Sequence, residues 1–321
     1  MPIYKPSILE NILSQSIQRC NYTSTLEWHQ HFLQTTENLD STLEQAALGG
    51  RYSINMSYAF SAGYQSAIQS LFQPCTRKLA SLCITEKDGN HPKQIKSALF
   101  KHKTGWQLNG SKSFITGAND AEQLYIAATE PSLSEDDKSE LTENTRPIIK
   151  MLSIPSNVSG VKIEPMPPLP FVPDISHGTA TFEQVEIQTA QILEGDGYTQ
   201  YIKPFRTHED IHVLAAVIGF RIGEAINSNW SKNSIEAHLM LLSSLLSLPT
   251  NNLTSPTTHI VFAGCRAQFG SLIEQTDEEF KLNNPEGFNQ WKRDKALLNV
   301  ASKAHTVRTQ RAWESISGRS G

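Results

Sequence analysis

The chain has 321 residues, a formal net charge of −4, and 38% hydrophobic against 19% charged residues. That length exceeds one comfortable core at about 150 residues per domain. No apolar run approaches the ~20 residues of a membrane-spanning helix, and the acidic balance gives no general attraction to phosphate backbones. Neither a membrane span nor a nucleic-acid partner is expected. The start, MPIYKPSILENILSQSIQRC, lacks the basic, apolar and small-residue order of a secretory signal, which points to the cytoplasm. Four scattered cysteines, Cys20, Cys75, Cys83 and Cys265, imply free thiols and no metal centre.

Residues 1–78 carry apolar side chains at helical spacing, first Ile8, Ile12 and Ile17, then Tyr58, Phe60, Tyr64, Ile68 and Phe72. The pair Gly49-Gly50 suggests a helix end and turn between them. Over residues 79–196 the pattern changes to short β-branched or aromatic segments, SLCITE, SALFKHK, WQLNGSKSFIT, QLYIAAT, IIKMLSIP, VKIEPM and TATFEQVEI, separated by Gly, Pro, Asn and Asp. This predicts a β domain. Within it EPSLSEDDKSELTENTR, at 130–146, has no apolar period and reads as a surface loop. Residues 197–321 return to helix after the turn-like GDGY. Pro249 and Pro256 punctuate a C-terminal bundle whose HLMLLSSLLSL segment needs an apolar partner, from this chain or from another copy.

The motifs give this order a meaning. LCITEKDG (82–89), NGSKSFITGAND (109–120), SGVKIEPM (159–166) and HGTATFEQVEIQTAQILEGDGY (177–198) follow one another, and a helix over 211–226 contains Ala215, Ala216 and Gly219. In order and spacing they resemble the acyl-CoA dehydrogenase family from about Leu82 to Ile226. The resemblance implies an α+β multidomain fold, with an N-terminal helical region, a middle β-barrel-like domain and a C-terminal helical bundle. It further implies FAD, an acyl thioester carried on CoA or a carrier protein as substrate, and a homodimer or homotetramer. Ile84 and Thr85 would line the pyrimidine side of the flavin, with Phe114 and Thr116 against its other part. Alternating Ile, Thr and Phe are also what any half-buried strand contains.

Several positions depart from the family pattern. Lys87-Asp88-Gly89-Asn90-His91-Pro92 replaces the usual Gly-rich stretch with its serine, and Asn233, Ser234 and Ile235 stand where Arg-x-x-Phe-Gly is expected. A matching string, Arg266-Ala267-Gln268-Phe269-Gly270, comes a helix later, inside an amphipathic run whose period already explains its apolar members. The chain given ends at SISGRSG, before the family's usual terminal glutamate. Some members carry the base just before the first C-terminal helix, and Glu209 stands in that relation to Gly219; there it would remove an α-proton. The alternative reading makes Thr207-His208-Glu209-Asp210 a capping box, in which the helix dipole favours the ionised acid. His208 and His212, four apart, read as capping or surface residues rather than metal ligands. Three functions are weighed: α,β-dehydrogenation of an acyl thioester, a non-catalytic scaffold for binding or assembly, and a flavin monooxygenase.

Overall fold

The computed structural model describes residues 7–14, 18–73, 77–102, 105–131, 147–249 and 252–318. Ile17, Cys75, Gly321 and residues 132–146 of the expected acidic loop lie outside them. The chain divides into two compact units, one formed by Pro74–Leu169 with Ile175–Phe205, the other by Met1–Gln73, Pro170–Asp174 and Arg206–Gly321.

The first unit is a seven-stranded sheet that curls into half a barrel. Its strands are β1 (Ala80–Cys83), β2 (Ala98–His102), β3 (Gly105–Thr116), β4 (Gln123–Thr129), β5 (Ile149–Pro155), β6 (Val161–Pro165) and β7 (His177–Ile187), in the order β1-β4-β2-β3-β7-β6 with β5 also on β4. Each falls on one of the seven segments that the residue pattern predicts. β1 runs parallel to β4, while β3 pairs antiparallel with both β2 and β7. The buried side chains of alternate positions, among them Leu99, Leu108, Ile126, Leu152 and Phe182, form one core cluster. Period-2 alternation places them on a single face, and burial of each such side chain stabilises the unit by roughly 1.5–3 kcal/mol.

The second unit is helical: α1 (Ile8–Leu13), α2 (Thr25–Thr36), α3 (Thr42–Tyr52), α4 (Met56–Leu71), α5 (Lys203–Asn227, in this unit from Arg206), α6 (Lys232–Leu246), α7 (Pro256–Asn283), α8 (Pro285–Asp294) and α9 (Ser302–Ser317). Ser24, Ser41 and Asn55 cap α2, α3 and α4 by accepting from the backbone N–H three residues on. Gly49 and Gly50 do not end a helix. They lie inside α3 and are buried, because α3 packs on α5 at backbone distance: a methyl at Gly50 would overlap the Ala216 carbonyl, and one at Gly219 the Ala47 carbonyl. This approach also explains the Ala215, Ala216 and Gly219 pattern, since only small residues permit it. The apolar segment of α6 buries Leu241, Leu242 and Leu245 within the unit and leaves Met240 exposed. The helical segment DKALLNVASKAHTVRTQRAWESI, from Asp294 to Ile316, is interrupted: a 3-10 segment Lys295–Asn299 precedes α9.

Candidate active site

In the sheet unit the four residues expected at a flavin converge where β1 ends beside β3. Ser113 N–H donates to Thr85 O (2.8 Å) and Ser81 Oγ to Thr116 O (2.6 Å), which fixes both segments through their backbones. The hydroxyls of Thr85 and Thr116 make no hydrogen bond among the described residues, and Ser113 Oγ is buried without a partner. Phe114 sits in a bulge of β3, between Lys112 and Ile115, where the pairing with β7 shifts register. Its φ is +53° and the residue is 56% exposed. Bulges re-aim side chains, and a phenylalanine held in the left-handed region costs of order 1–3 kcal/mol that the surrounding structure must offset. An exposed aromatic ring among uncommitted hydroxyls suits a planar heteroaromatic group with polar edges.

A buried ion pair supports this stretch. Lys112 Nζ donates to Glu86 Oε1 (2.6 Å) and to Ile84 O (3.3 Å), and Glu86 also accepts from the Lys96 and Ser97 N–H groups at 2.9 and 3.0 Å. Burial works against ionisation of Glu86, but Lys112 and the backbone donors hold its carboxyl below the usual range. Glu86 and Gly89 exchange both backbone hydrogen bonds across Lys87-Asp88, with Gly89 at φ +127°. His91 is exposed and caps the 3-10 turn Pro92–Gln94, its Nδ1 accepting from Lys93 N–H.

In the helical unit a cavity of about 600 Å³ is lined by Glu209, Asp210, Val213 and Leu214 of α5, by Phe262, Arg266, Phe269 and Gly270 of α7, by Phe60 of α4, and by residues 295–301 and His305. Glu209 is the seventh residue of α5, which begins at Lys203 directly after a π-helical turn, Tyr198–Ile202. The capping-box reading of residues 207–210 is therefore corrected: they lie within the helix, beyond the first turn over which the dipole acts. Burial, not the dipole, sets the state of Glu209. It pushes the carboxyl up to about 8, with the charge of Asp210 adding and Arg206 and Arg308 opposing. The carboxyl makes no hydrogen bond or ion pair among the described residues.

His208 and His212 are not surface residues. His208 Nδ1 meets Ser70 Oγ at 2.6 Å, while His212 bridges the His208 carbonyl (2.6 Å) and Thr42 Oγ1 (2.9 Å). Burial lowers them to about 4 and about 3, so both are neutral at pH 7. The string Arg266 to Gly270, explained from sequence by period alone, places Arg266, Phe269 and Gly270 on the cavity wall, and Arg266 Nη2 donates to Leu298 O at 3.1 Å. Sequence reasoning missed the cluster around Asp210, whose partners Arg308 and His305 lie on α9. A separation of 98 residues between Arg308 and Asp210 leaves no local signal for it. Among the described residues no group of His, Cys, Asp and Glu is placed to hold a metal ion, and no helix is long and apolar enough to cross a membrane.

No protein-family model and no curated protein matches the sequence. Solved structures do match the fold. PigA with FAD and proline aligns at a TM-score of 0.69 and 12% identity, over 99% of this chain and 100% of that one. The prolyl acyl carrier protein oxidase AnaB aligns at 0.67 and 14%, over 95% and 97%. Butyryl-CoA dehydrogenase from Megasphaera elsdenii aligns at 0.66 and 10%, over 98% and 100%. The chain has the acyl-CoA dehydrogenase fold.

Proposed function

We propose that the chain is a FAD-dependent oxidoreductase that forms an α,β double bond in an acyl thioester held on CoA or a carrier protein. The observation that carries this reading is the Glu209 carboxyl, without a hydrogen bond or ion pair among the described residues, on a cavity lined by both apolar and charged side chains, raised to about 8. A general base works best with its proton affinity near the operating pH, and Glu209 meets that condition where an ordinary surface glutamate does not. Its carboxylate takes the α-proton of the thioester. Phe262, Phe269 and Leu214 hold the acyl chain and keep water from the carboxylate. Bound FAD supplies the two-electron acceptor for the hydride that leaves the β-carbon. Ile84, Thr85, Phe114 and Thr116 would hold the cofactor, Phe114 through its exposed face and the two threonines through hydroxyls that make no hydrogen bond among the described residues.

Fold relatives support the choice of cofactor and carrier to the extent of their names: one is described with FAD and proline, one as a prolyl acyl carrier protein oxidase, one as a butyryl-CoA dehydrogenase. A cytoplasmic homodimer or homotetramer completes the proposal, with light scattering as its check. The activity is tested by the visible spectrum of the purified protein after FAD is added and the excess removed, followed by anaerobic addition of acyl thioesters. Retained flavin that bleaches, with bleaching slowed at least about 100-fold in Glu209→Gln, is the expected result. A folded protein that retains no flavin overturns it in favour of a non-catalytic scaffold. Turnover unchanged in Glu209→Gln removes the base assignment alone.

A further inference from the structure

The cavity wall carries two neighbouring carboxylates of α5 in opposite circumstances. Glu209 and Asp210 leave the helix about 100° apart, and only the second is gripped. Arg308 of α9 donates through Nη2 to Asp210 Oδ2 and through Nη1 to Thr207 Oγ1, the latter at 3.0 Å. His305 Nε2 lies 2.7 Å from the same Asp210 oxygen, and its ring stands edge-on to Phe262 of α7. Arg308 thus holds α5 at two positions three residues apart, and His305 and Arg308 are themselves three apart on α9. Both pairings bring together residues on one helical face.

Helix α9 lies along α7 but presents a slight apolar face. Of its sixteen residues only Ala312 is buried, and Val307 and Trp313 are exposed. A helix with so slight an apolar face gains little from the hydrophobic effect, and the contacts that join it to α5, Arg308 to Thr207 and Asp210 and His305 to Asp210, are all polar. The side chains of Asp210 and Arg308 are 14% and 23% exposed, which shields them from the screening that weakens a surface pair.

We propose that Arg308 and Asp210 are positioning residues that latch α9 to α5, and that by engaging Asp210 they leave Glu209 as the free carboxyl that α5 presents to the cavity. This rests on the reading of Glu209 as the base. The other charged and titratable groups around Glu209, Asp210 and Arg308 are Arg206 of α5, His259, Arg266 and Glu274 of α7, and Lys292 of α8. Lys295 is taken by Asp277 at 2.6 Å. No other basic group of the described residues is within ion-pair distance of Asp210 besides His305 and Arg308.

The test uses the full chain with two readouts that do not depend on turnover: amide hydrogen exchange along α9, and titration of Glu209 by NMR of carboxyl-labelled glutamate, assigned by its loss in Glu209→Gln. Arg308→Met is expected to speed exchange in α9 about tenfold or more while α3 and α4 keep their protection. The exchanged pair Asp210→Arg with Arg308→Asp is expected to return it to within about threefold of the parent, which neither single change does. Asp210→Asn is expected to move the Glu209 titration to lower pH, because a like charge beside it is gone. If Arg308→Met does not fold, Arg308→Lys, which keeps the charge but not the two-point grip, gives the same comparison at smaller amplitude. Unchanged α9 exchange in the arginine variants, or an exchanged pair no better protected than the single variants, overturns the latch. An unmoved Glu209 titration in Asp210→Asn overturns its second part. Full turnover in Glu209→Gln would remove the base and leave the latch standing, so the two failures are separate.

Discussion

The sheet unit and the helical unit treat buried charge differently. Among the described residues the sheet unit buries one ion pair, Lys112 with Glu86, and supplies Glu86 with two backbone donors besides. The helical unit buries Arg51, Arg221, Glu224 and Asp294 together with several neutral histidines, and leaves Glu209 without a hydrogen bond or ion pair among the described residues. The cause lies in how each is built. Strand alternation sends every second side chain outward and the bulge in β3 turns the Phe114 ring out, so Phe114 and, in part, Thr116 stay accessible while the core stays apolar. Helices that meet at backbone distance enclose whatever their faces carry, and enclosed carboxyls and imidazoles shift away from their ordinary affinities. A platform for a planar group therefore suits the sheet, and a proton acceptor tuned by burial suits the bundle.

The sharpest break in this comparison is a side chain where the helices touch. Gly50→Val would drive a branched side chain into the Ala216 carbonyl, and Gly219→Val would do the same at Ala47. Backbone cannot yield as a side-chain tip does, so each change is expected to cost more than about 4 kcal/mol and to abolish the cooperative thermal transition of the helical unit. Circular dichroism melting checks this. Retention of a normal transition would mean that α3 and α5 are not held by close approach.

Lys112→Met tests the sheet unit. It leaves Glu86 buried without its cation, which is expected to cost about 3–5 kcal/mol by denaturant unfolding. It also removes the tie between Ile84 O and β3, so FAD retention should fall with stability. A variant equally stable but unable to keep flavin would point to a direct role for the Lys112 charge at the cofactor.

These contrasts explain what the sequence made legible. All seven strands fall where period-2 segments bounded by turn residues predict them, because alternation against one core is a local signal. The flavin-type residues Ile84, Thr85, Phe114 and Thr116 come from motifs on those strands, and β1 and β3 do bring them together. The helical unit was legible as helix and no further. Gly49-Gly50 reads as a break until α5 is seen against it, and His208 reads as surface until Ser70 is found on its ring. Asp210 and Arg308 meet across 98 residues, and helical periodicity carries no information about which helices are neighbours.

Acid should separate the two units. His208, His212 and His238 are held near 4, 3 and 4 by burial, below the ordinary 6.5. Below pH 6.5 the unfolded chain binds protons that these folded imidazoles refuse, so stability is lost as pH falls from about 6.5 toward 4, at about 1.4 kcal/mol per pH unit for each histidine. Glu209 acts in the other direction, since its folded form is already protonated below about 8 while the unfolded form loses its proton above 4.5. For these four groups two proton equivalents remain on balance, or roughly 3 kcal/mol per pH unit at most; burial also lowers His31 and His259, which adds to the loss, and raises Asp210, which opposes it. The sheet unit has a single burial-lowered histidine, His177, and its Glu86 contribution persists until pH falls below the ordinary carboxylate range. Hydrogen exchange between pH 7 and 5 is expected to show α3, α4 and α5 losing protection before β3 and β4. Parallel loss in both units would count against neutral buried histidines.

The smallest effect on stability should accompany a large effect on the site. Phe114 holds a positive φ that glycine adopts freely, and the residue is more than half exposed, so the ring adds little to the core. Phe114→Gly relieves about 1–2 kcal/mol of left-handed strain and adds back a similar backbone entropy cost, leaving the melting behaviour within about 1 kcal/mol of the parent. If the bulge exists to present the ring to a flavin, the same variant keeps its fold and loses its FAD on gel filtration. If the bulge exists only to let β3 follow β7 around the half-barrel, the variant keeps both. The ring's contact is what separates these outcomes, because the backbone of the bulge is the same in each.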